Sequence, residues 1–130
     1  MNFTLLAYIG VGGFLGAISR FGVSSWLQNI FSSFFFPVGT LGVNVIGSFI
    51  IGLLIPYFEH ITSHEYRALF IVGFLGSFTT FSTFSHDTML MFQTQEYFKA
   101  FLNITLNVIL CVIATILGAM IFKKIIALYF

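Results

Sequence analysis

The chain has 130 residues, of which 58% are hydrophobic and only 7% are charged, and its net charge is +1. Soluble domains commonly carry about 25% charged residues, so this composition excludes an ordinary soluble globular protein. The few charges fall at the borders of long hydrophobic runs, which predicts an integral membrane protein in contact with the lipid bilayer.

Four hydrophobic runs define the predicted spans. Residues other than Asp, Glu, Lys and Arg fill the ranges 1–19, 21–58, 68–86 and 100–122. A spanning helix needs about 20 apolar residues, so the long second run holds the end of one helix, a loop and another helix. The sequence therefore predicts an all-α membrane protein, a single domain over residues 1–130, with spans at about 3–26, 38–57, 66–91 and 98–122.

The first span contains Arg20, the only charge that lies well inside a hydrophobic run. Gly12 and Gly16 precede it with a small-xxx-small spacing that favours close helix packing. Such an arginine commonly extends its charge to the interface with water. The alternatives are that Arg20 gives a vestibule a positive potential that attracts anions, or that it stabilises the framework of a dimer. The N-terminal segment has no basic region and no cleavage site, which favours a retained span over a signal peptide. The absence of any targeting sequence favours a bacterial plasma membrane as the location.

The second span begins at Pro37 and is predicted to end at Pro56, because proline disturbs helix interiors. Asn44 lies near its middle. A membrane-embedded amide often bridges helices, and its NH₂ group can also donate hydrogen bonds to an anion that has lost its water. The two roles are compatible.

The third span carries the most informative segment, GFLGSFTTFSTFS at residues 73–85. Hydroxyl groups in hydrocarbon cost free energy unless they are satisfied, so this segment is expected to face protein or a water-filled path. A spacing of three places like residues on common helix faces: Phe81 with Phe84, Thr80 with Thr83, and Ser82 with Ser85. Ring edges carry positive partial charge, so they can tolerate a small anion and repel cations.

Gly73, Gly76 and Ser77 predict an interruption of the third helix in the middle of the membrane. Carbonyl groups freed at such a break need partners. A bound cation and nearby hydroxyl groups are the two alternatives.

The fourth span has polar residues at intervals of four: Asn103, Asn107, Cys111 and Thr115. This stripe is expected to face another helix or a pore and not lipid. Cys111 is the single cysteine, which excludes an intrachain disulfide. The sequence shows no nucleophile–base pair, phosphate loop or intramembrane carboxylate, so no enzymatic activity is expected.

The loop charges are nearly balanced between the two sides of the membrane. That balance is compatible with a weak N-terminus-inside preference or with insertion in both orientations. Four thin spans enclose little volume, so a pore is expected to require two or more chains.

Three segments resemble those of the Fluc (CrcB) fluoride channels: Gly12-Gly13…Gly16-Ala17…Arg20, Gly39-Thr40-Leu41…Val43-Asn44…Gly47 and Thr79-Thr80-Phe81-Ser82-Thr83-Phe84-Ser85. The third motif is highly specific, and the similarity covers essentially the whole chain. The resemblance implies an antiparallel dual-topology homodimer with two pores. It also implies passive export of cytosolic fluoride, resistance to fluoride and no nucleic-acid partner.

The same resemblance implies roles for individual residues. Phe81 and Phe84 look like an aromatic box whose ring edges line the fluoride path, and Asn44 looks like a pore amide that donates to fluoride. Candidates for a polar track are Thr80, Ser82, Thr83 and Asn107. Asn107 and Cys111 stand where many members of the family have serines.

Two further positions match the family's motifs. Arg20 resembles the vestibule arginine. The backbone carbonyls of Gly76 and Thr79 resemble the ligands of a structural Na⁺ at the dimer centre, to which each subunit would contribute two.

Two other functions compete with a channel. Small multidrug transporters, which are proton-coupled exporters of organic cations, are also short four-span proteins that insert in both orientations. They depend on a glutamate in the first span, whereas residues 1–19 here contain no acidic residue. A non-transporting subunit of a larger complex would explain the glycine packing pattern but not the hydroxyl–phenylalanine segment.

Overall fold

The structure is a computed structural model that describes residues 2–32, 36–60 and 63–129. Within these ranges all regular secondary structure is helical. Four helical segments among the described residues are long and apolar enough to cross a membrane: Phe3–Ile30, Val38–Glu59, His64–Gln93 and Tyr97–Ile125. The predicted all-α class with four spanning segments is therefore confirmed, and the protein is a multi-pass membrane protein.

Six α-helices and one π-helical segment make up these spans. They are α1 (Phe3–Ile30), α2 (Val38–His60), α3 (His64–Arg67), the π-helical segment (Ala68–Leu75), α4 (Gly76–Phe78), α5 (Phe81–Gln93) and α6 (Tyr97–Tyr129). The third span comprises α3, the π-helical segment, α4 and α5. The helices continue past the predicted spans at most ends, because helical hydrogen bonding does not stop where the apolar window stops.

The prediction that Pro56 ends the second helix is wrong. Pro56 lies inside α2, which continues to His60. A proline removes one helical hydrogen bond, but the turn that follows it is held by aromatic packing. The rings of Tyr57 and Phe122 meet edge to face with centroids 6.2 Å apart, and those of Tyr57 and Phe58 with centroids 5.3 Å apart.

The π-helical segment packs closely against α1 at two glycines. A Cβ at Gly12 would lie 2.1 Å from the carbonyl oxygen of Leu69, and a Cβ at Gly16 would lie 2.2 Å from that of Phe74. Only glycine allows the two backbones to approach so closely. The small-xxx-small pattern of the first span therefore packs α1 against the third span of the same chain.

Glycines also bring α2 and α6 into direct backbone contact. A Cβ at Gly52 would lie 2.1 Å from the carbonyl oxygen of Thr115, and a Cβ at Gly118 would lie 2.2 Å from that of Phe49. The Thr115 hydroxyl crosses the same contact and donates to the Ser48 carbonyl oxygen at 3.1 Å. This contact sets how closely the polar faces of α2 and α6 approach one another.

The backbone is extended at two residues between α4 and α5. Thr79 has φ −84° and ψ 158°, and Thr80 has φ −148° and ψ 115°. Thr80 then caps α5, since its hydroxyl accepts a hydrogen bond from the Thr83 N–H at 3.2 Å. The Thr80 N–H and C=O groups are consequently free of regular helical bonding and need partners from elsewhere.

Candidate functional site

A cavity of about 420 Å³ lies between α2, the third span and α6. Its lining includes five of the predicted pathway residues: Asn44, Thr80, Phe81, Phe84 and Asn107. Gly76 and Thr79, the predicted carbonyl ligands, line it as well. The fold thus brings these positions together from three spans that are distant in sequence.

Asn44 satisfies both backbone groups freed at Thr80. Its Nδ2 donates to the Thr80 carbonyl oxygen at 3.1 Å, and its Oδ1 accepts from the Thr80 N–H at 2.8 Å. The second Nδ2 hydrogen goes to Asn107 Oδ1 at 3.0 Å. Asn44 therefore bridges all three polar elements of the cavity, and both of its amide hydrogens are engaged within the protein.

The amide–amide contact continues along α6 as a hydrogen-bonded chain. Asn107 Nδ2 donates to the Oδ1 of Asn103 at 3.0 Å and to its carbonyl oxygen at 3.1 Å. Asn103 Nδ2 donates to Thr88 Oγ1 at 2.9 Å, and the Thr88 hydroxyl donates to the Phe84 carbonyl oxygen at 2.8 Å. Asn103 is 0% exposed and Asn107 6% exposed. This run of Asn44, Asn107, Asn103 and Thr88 is named the amide ladder below.

Phe81 and Phe84 form the aromatic part of the site. Their ring centroids lie 5.2 Å apart with the ring planes tilted by 54°. Phe84 is buried at 8% exposure, whereas Phe81 is 78% exposed. The pair therefore reaches from the interior of the chain to its surface, where the ring of Phe81 is exposed.

The hydroxyl groups of the third motif cluster around Thr80. Thr80 Oγ1 donates to Thr83 Oγ1 at 3.0 Å and lies 3.2 Å from Ser82 Oγ. Thr80 is buried, and Ser82 and Thr83 are exposed. The three hydroxyls thus form a continuous polar strip that leads from the cavity to the surface beside Phe81.

The carbonyl groups of Gly76 and Thr79 lack the N–H donors that a continuous helix would give them. In a continuous helix they would accept from the N–H groups of Thr80 and Thr83, four residues onward. Those two N–H groups instead donate to Asn44 Oδ1 and to Thr80 Oγ1. Oxygen atoms of unwound backbone in membrane helices are groups that can coordinate Na⁺.

A second cavity, of about 730 Å³, opens near the end of α1 and is lined mostly by polar residues. Its lining includes Ser24, Gln28, Thr40, Asp87 and Glu96. The Thr40 hydroxyl donates to Asp87 Oδ2 at 2.8 Å. Arg20 is half-buried and lines neither of these two cavities, and within the described ranges it forms no ion pair.

The family of the chain follows from comparison with known proteins. The family described as CrcB-like protein, Camphor Resistance (CrcB), matches residues 7–119. The chain belongs to the CrcB family. Relatives named "Fluoride-specific ion channel FluC" include one from a Nitratiruptor species, 56% identical over 124 residues, 95% of this chain and 96% of the relative. Another, from a Sulfurovum species, is 55% identical over 120 residues, 92% of this chain and 94% of the relative. The family assignment made from the motifs is confirmed.

Sequence reasoning missed several residues that contact the site of this CrcB protein. The polar stripe of α6 included Asn103, but nothing in its spacing indicated that it links Asn107 to Thr88. Thr88 lies three residues after Ser85 and four after Phe84, so it shares a helix face with each of them. This spacing could have indicated that Thr88 lies close to the site. Thr40 lies one helical turn before Asn44 on the same face of α2, but it lines the second cavity, where its hydroxyl donates to Asp87.

Proposed function

We propose that the chain is a fluoride-selective ion channel that exports cytosolic fluoride by passive electrodiffusion and thereby confers fluoride resistance. The observation that carries this proposal is the lining of the first cavity, where amides, hydroxyls and phenylalanine rings meet and no charged residue among those described is present. The printed names of the relatives support it. The proposal includes no enzymatic activity.

An uncharged polar path suits a small, strongly hydrated anion. Fluoride must exchange its water for hydrogen-bond donors and positive ring edges, and it must also leave again. A full positive charge in the path would hold the ion. The proposed path contains Asn44, Thr80, Phe81, Ser82, Thr83, Phe84 and Asn107, with Arg20 attracting anions at a vestibule.

The site of one chain is open on one side, which supports the antiparallel homodimer. Phe81, Ser82 and Thr83 are exposed on the surface of the single chain, and hydroxyl groups facing hydrocarbon are unfavourable. We propose that a second copy in the opposite orientation covers this surface. Cysteine labelling from each side of a bacterial inner membrane tests it, since labelling of one position from only one side would contradict dual topology.

We propose that a structural Na⁺ lies at the dimer centre, and the carbonyl groups left free beside Thr80 support this. One chain offers the carbonyls of Gly76 and Thr79, and two copies would offer twice as many oxygen ligands. The extended residues Thr79 and Thr80 would then form the mid-membrane break of the third span. A high-resolution structure in sodium without density between these carbonyls would contradict the ion.

The channel is tested by reconstitution of this chain alone. Proteoliposomes loaded with fluoride are expected to release it rapidly, as followed by a fluoride electrode, and to retain chloride in a parallel experiment. Absence of fluoride release from a protein that elutes as a single species in detergent would contradict a self-sufficient channel. A proton-coupled cation exporter would instead show proton movement with an organic cation.

Phe81→Ile is expected to slow fluoride efflux about tenfold, because the ring edge is lost while bulk and hydrophobicity remain. The fold of the single chain should be unaffected, since the side chain is 78% exposed in it. Phe98→Ile is the matched control, because Phe98 is 76% exposed and lies at the start of α6 away from the cavity. Equal fluoride efflux from both variants would show that Phe81 is not part of the fluoride path.

A further inference from the structure

Asn44 has only one hydrogen that an anion can take. Its Oδ1 and one Nδ2 hydrogen are bound to the N–H and C=O of Thr80, which lie in the extended backbone between α4 and α5. Breaking either of these bonds would leave a buried backbone group unpaired, which is costly. The exchangeable hydrogen is therefore the one that Asn44 donates to Asn107 Oδ1 at 3.0 Å.

The amide ladder locks Asn107 in its acceptor orientation. A reversed Asn107 amide would direct its NH₂ group at the Asn44 NH₂ group, and its oxygen at the two oxygen atoms of Asn103 that it now donates to. Asn103 is held in turn, because Thr88 gives its hydrogen to the Phe84 carbonyl oxygen and must accept from Asn103. Both ends of the amide ladder thus terminate on backbone groups whose donor or acceptor character cannot change.

We propose that Asn107 is a built-in competitor for the permeating anion: its Oδ1 holds the Asn44 hydrogen that fluoride must take, and it thereby sets the affinity of the pore. The inference rests on the proposed fluoride channel function. When fluoride binds at Asn44, it replaces Asn107 Oδ1 as the acceptor of this hydrogen bond. The Asn44 N–H group is therefore not an unpaired donor before the ion arrives. When the ion leaves, the hydrogen returns to Asn107, so no buried donor is left unpaired. Asn107 therefore weakens binding and speeds release.

Asn107→Leu tests the competitor because leucine has a similar volume and no acceptor. The Asn44 hydrogen then has no internal partner, so fluoride should bind about tenfold more tightly. The maximal rate of fluoride efflux should fall, because release from the tighter site is slower. Isothermal titration calorimetry of the detergent-purified protein measures the first quantity, and proteoliposome efflux at saturating fluoride measures the second.

Asn107→Ser provides a second variant if the leucine variant elutes as aggregate. Serine is too short to reach the position of Oδ1, so the dissociation constant is expected to shift in the same direction. Thr105→Val is the control on the same helix. Its hydroxyl is bound only to the Phe101 carbonyl oxygen at 2.9 Å, away from the amide ladder, so binding and efflux should match the wild type.

The outcomes separate the competitor from the channel. A wild-type chain that passes no fluoride would refute the proposed function and this inference with it. A conducting wild type with unchanged fluoride binding in the Asn107 variants would refute the competitor alone. Weaker binding in those variants would also refute it, because Asn107 would then be a direct ligand of the ion. Tighter binding with slower efflux supports it.

Discussion

Asn44→Asp is expected to abolish fluoride efflux, with a rate reduced by about a thousandfold. A carboxylate about 4 Å from a permeating anion repels it by about 4 kcal/mol at an effective dielectric constant near 20. The substitution also removes the two donated hydrogen bonds, at 3.1 Å to the Thr80 carbonyl and at 3.0 Å to Asn107 Oδ1. Even a protonated carboxyl would donate one hydrogen where the amide donates two. Fluoride-electrode efflux from proteoliposomes measures the effect.

The matched control for this variant is Asn2→Asp. Asn2 is exposed and caps α1, where its side chain accepts a hydrogen bond from the Thr4 N–H at 3.1 Å. Aspartate serves equally well as a helix N-cap, so the control adds the same charge without touching the cavity. The control is expected to conduct normally. A correctly folded Asn44→Asp protein that releases fluoride at the wild-type rate would show that Asn44 is not part of the fluoride path.

Gly118→Ala is expected to destabilise the fold by about 1–3 kcal/mol, the usual cost of overpacking. The new Cβ would lie 2.2 Å from the Phe49 carbonyl oxygen and 2.9 Å from the Leu53 nitrogen, both of them backbone atoms that no rotamer change can move. α2 and α6 would have to separate. That movement would stretch the bond between Asn44 and Asn107, so efflux should fall together with the thermal unfolding temperature in detergent.

Gly10→Ala separates this clash from a general effect of replacing a helical glycine. Gly10 lies inside α1, and a Cβ built there meets no atom of the chain within 4 Å. Its unfolding temperature is expected to match or slightly exceed that of the wild type, because alanine is the better helix former. Equal unfolding temperatures for the Gly118 and Gly10 variants would show that the contact between α2 and α6 relaxes without cost.

The sequence predicted the elements well where the property is local. Hydropathy is a sum over neighbouring residues, so the four spans could be located from the charge-free runs. Pro56 shows the limit of such rules, because the helix continues past it where Tyr57 packs on Phe122. The π-helical form of Ala68–Leu75 had no signal in the sequence. The backbone of this segment packs closely against α1 at Gly12 and Gly16.

The sequence by itself determined that this is a four-span membrane protein of the CrcB family and which motif holds its polar and aromatic residues. Only the tertiary structure decided which of their hydrogen bonds remain available. Asn44 meets Thr80 across 36 positions and Asn107 across 63, so its partners depend on the rotation and spacing of three helices. Hydrogen bonds are directional and saturable. For that reason a residue type can indicate a donor, while only the packed fold shows that its hydrogens are engaged.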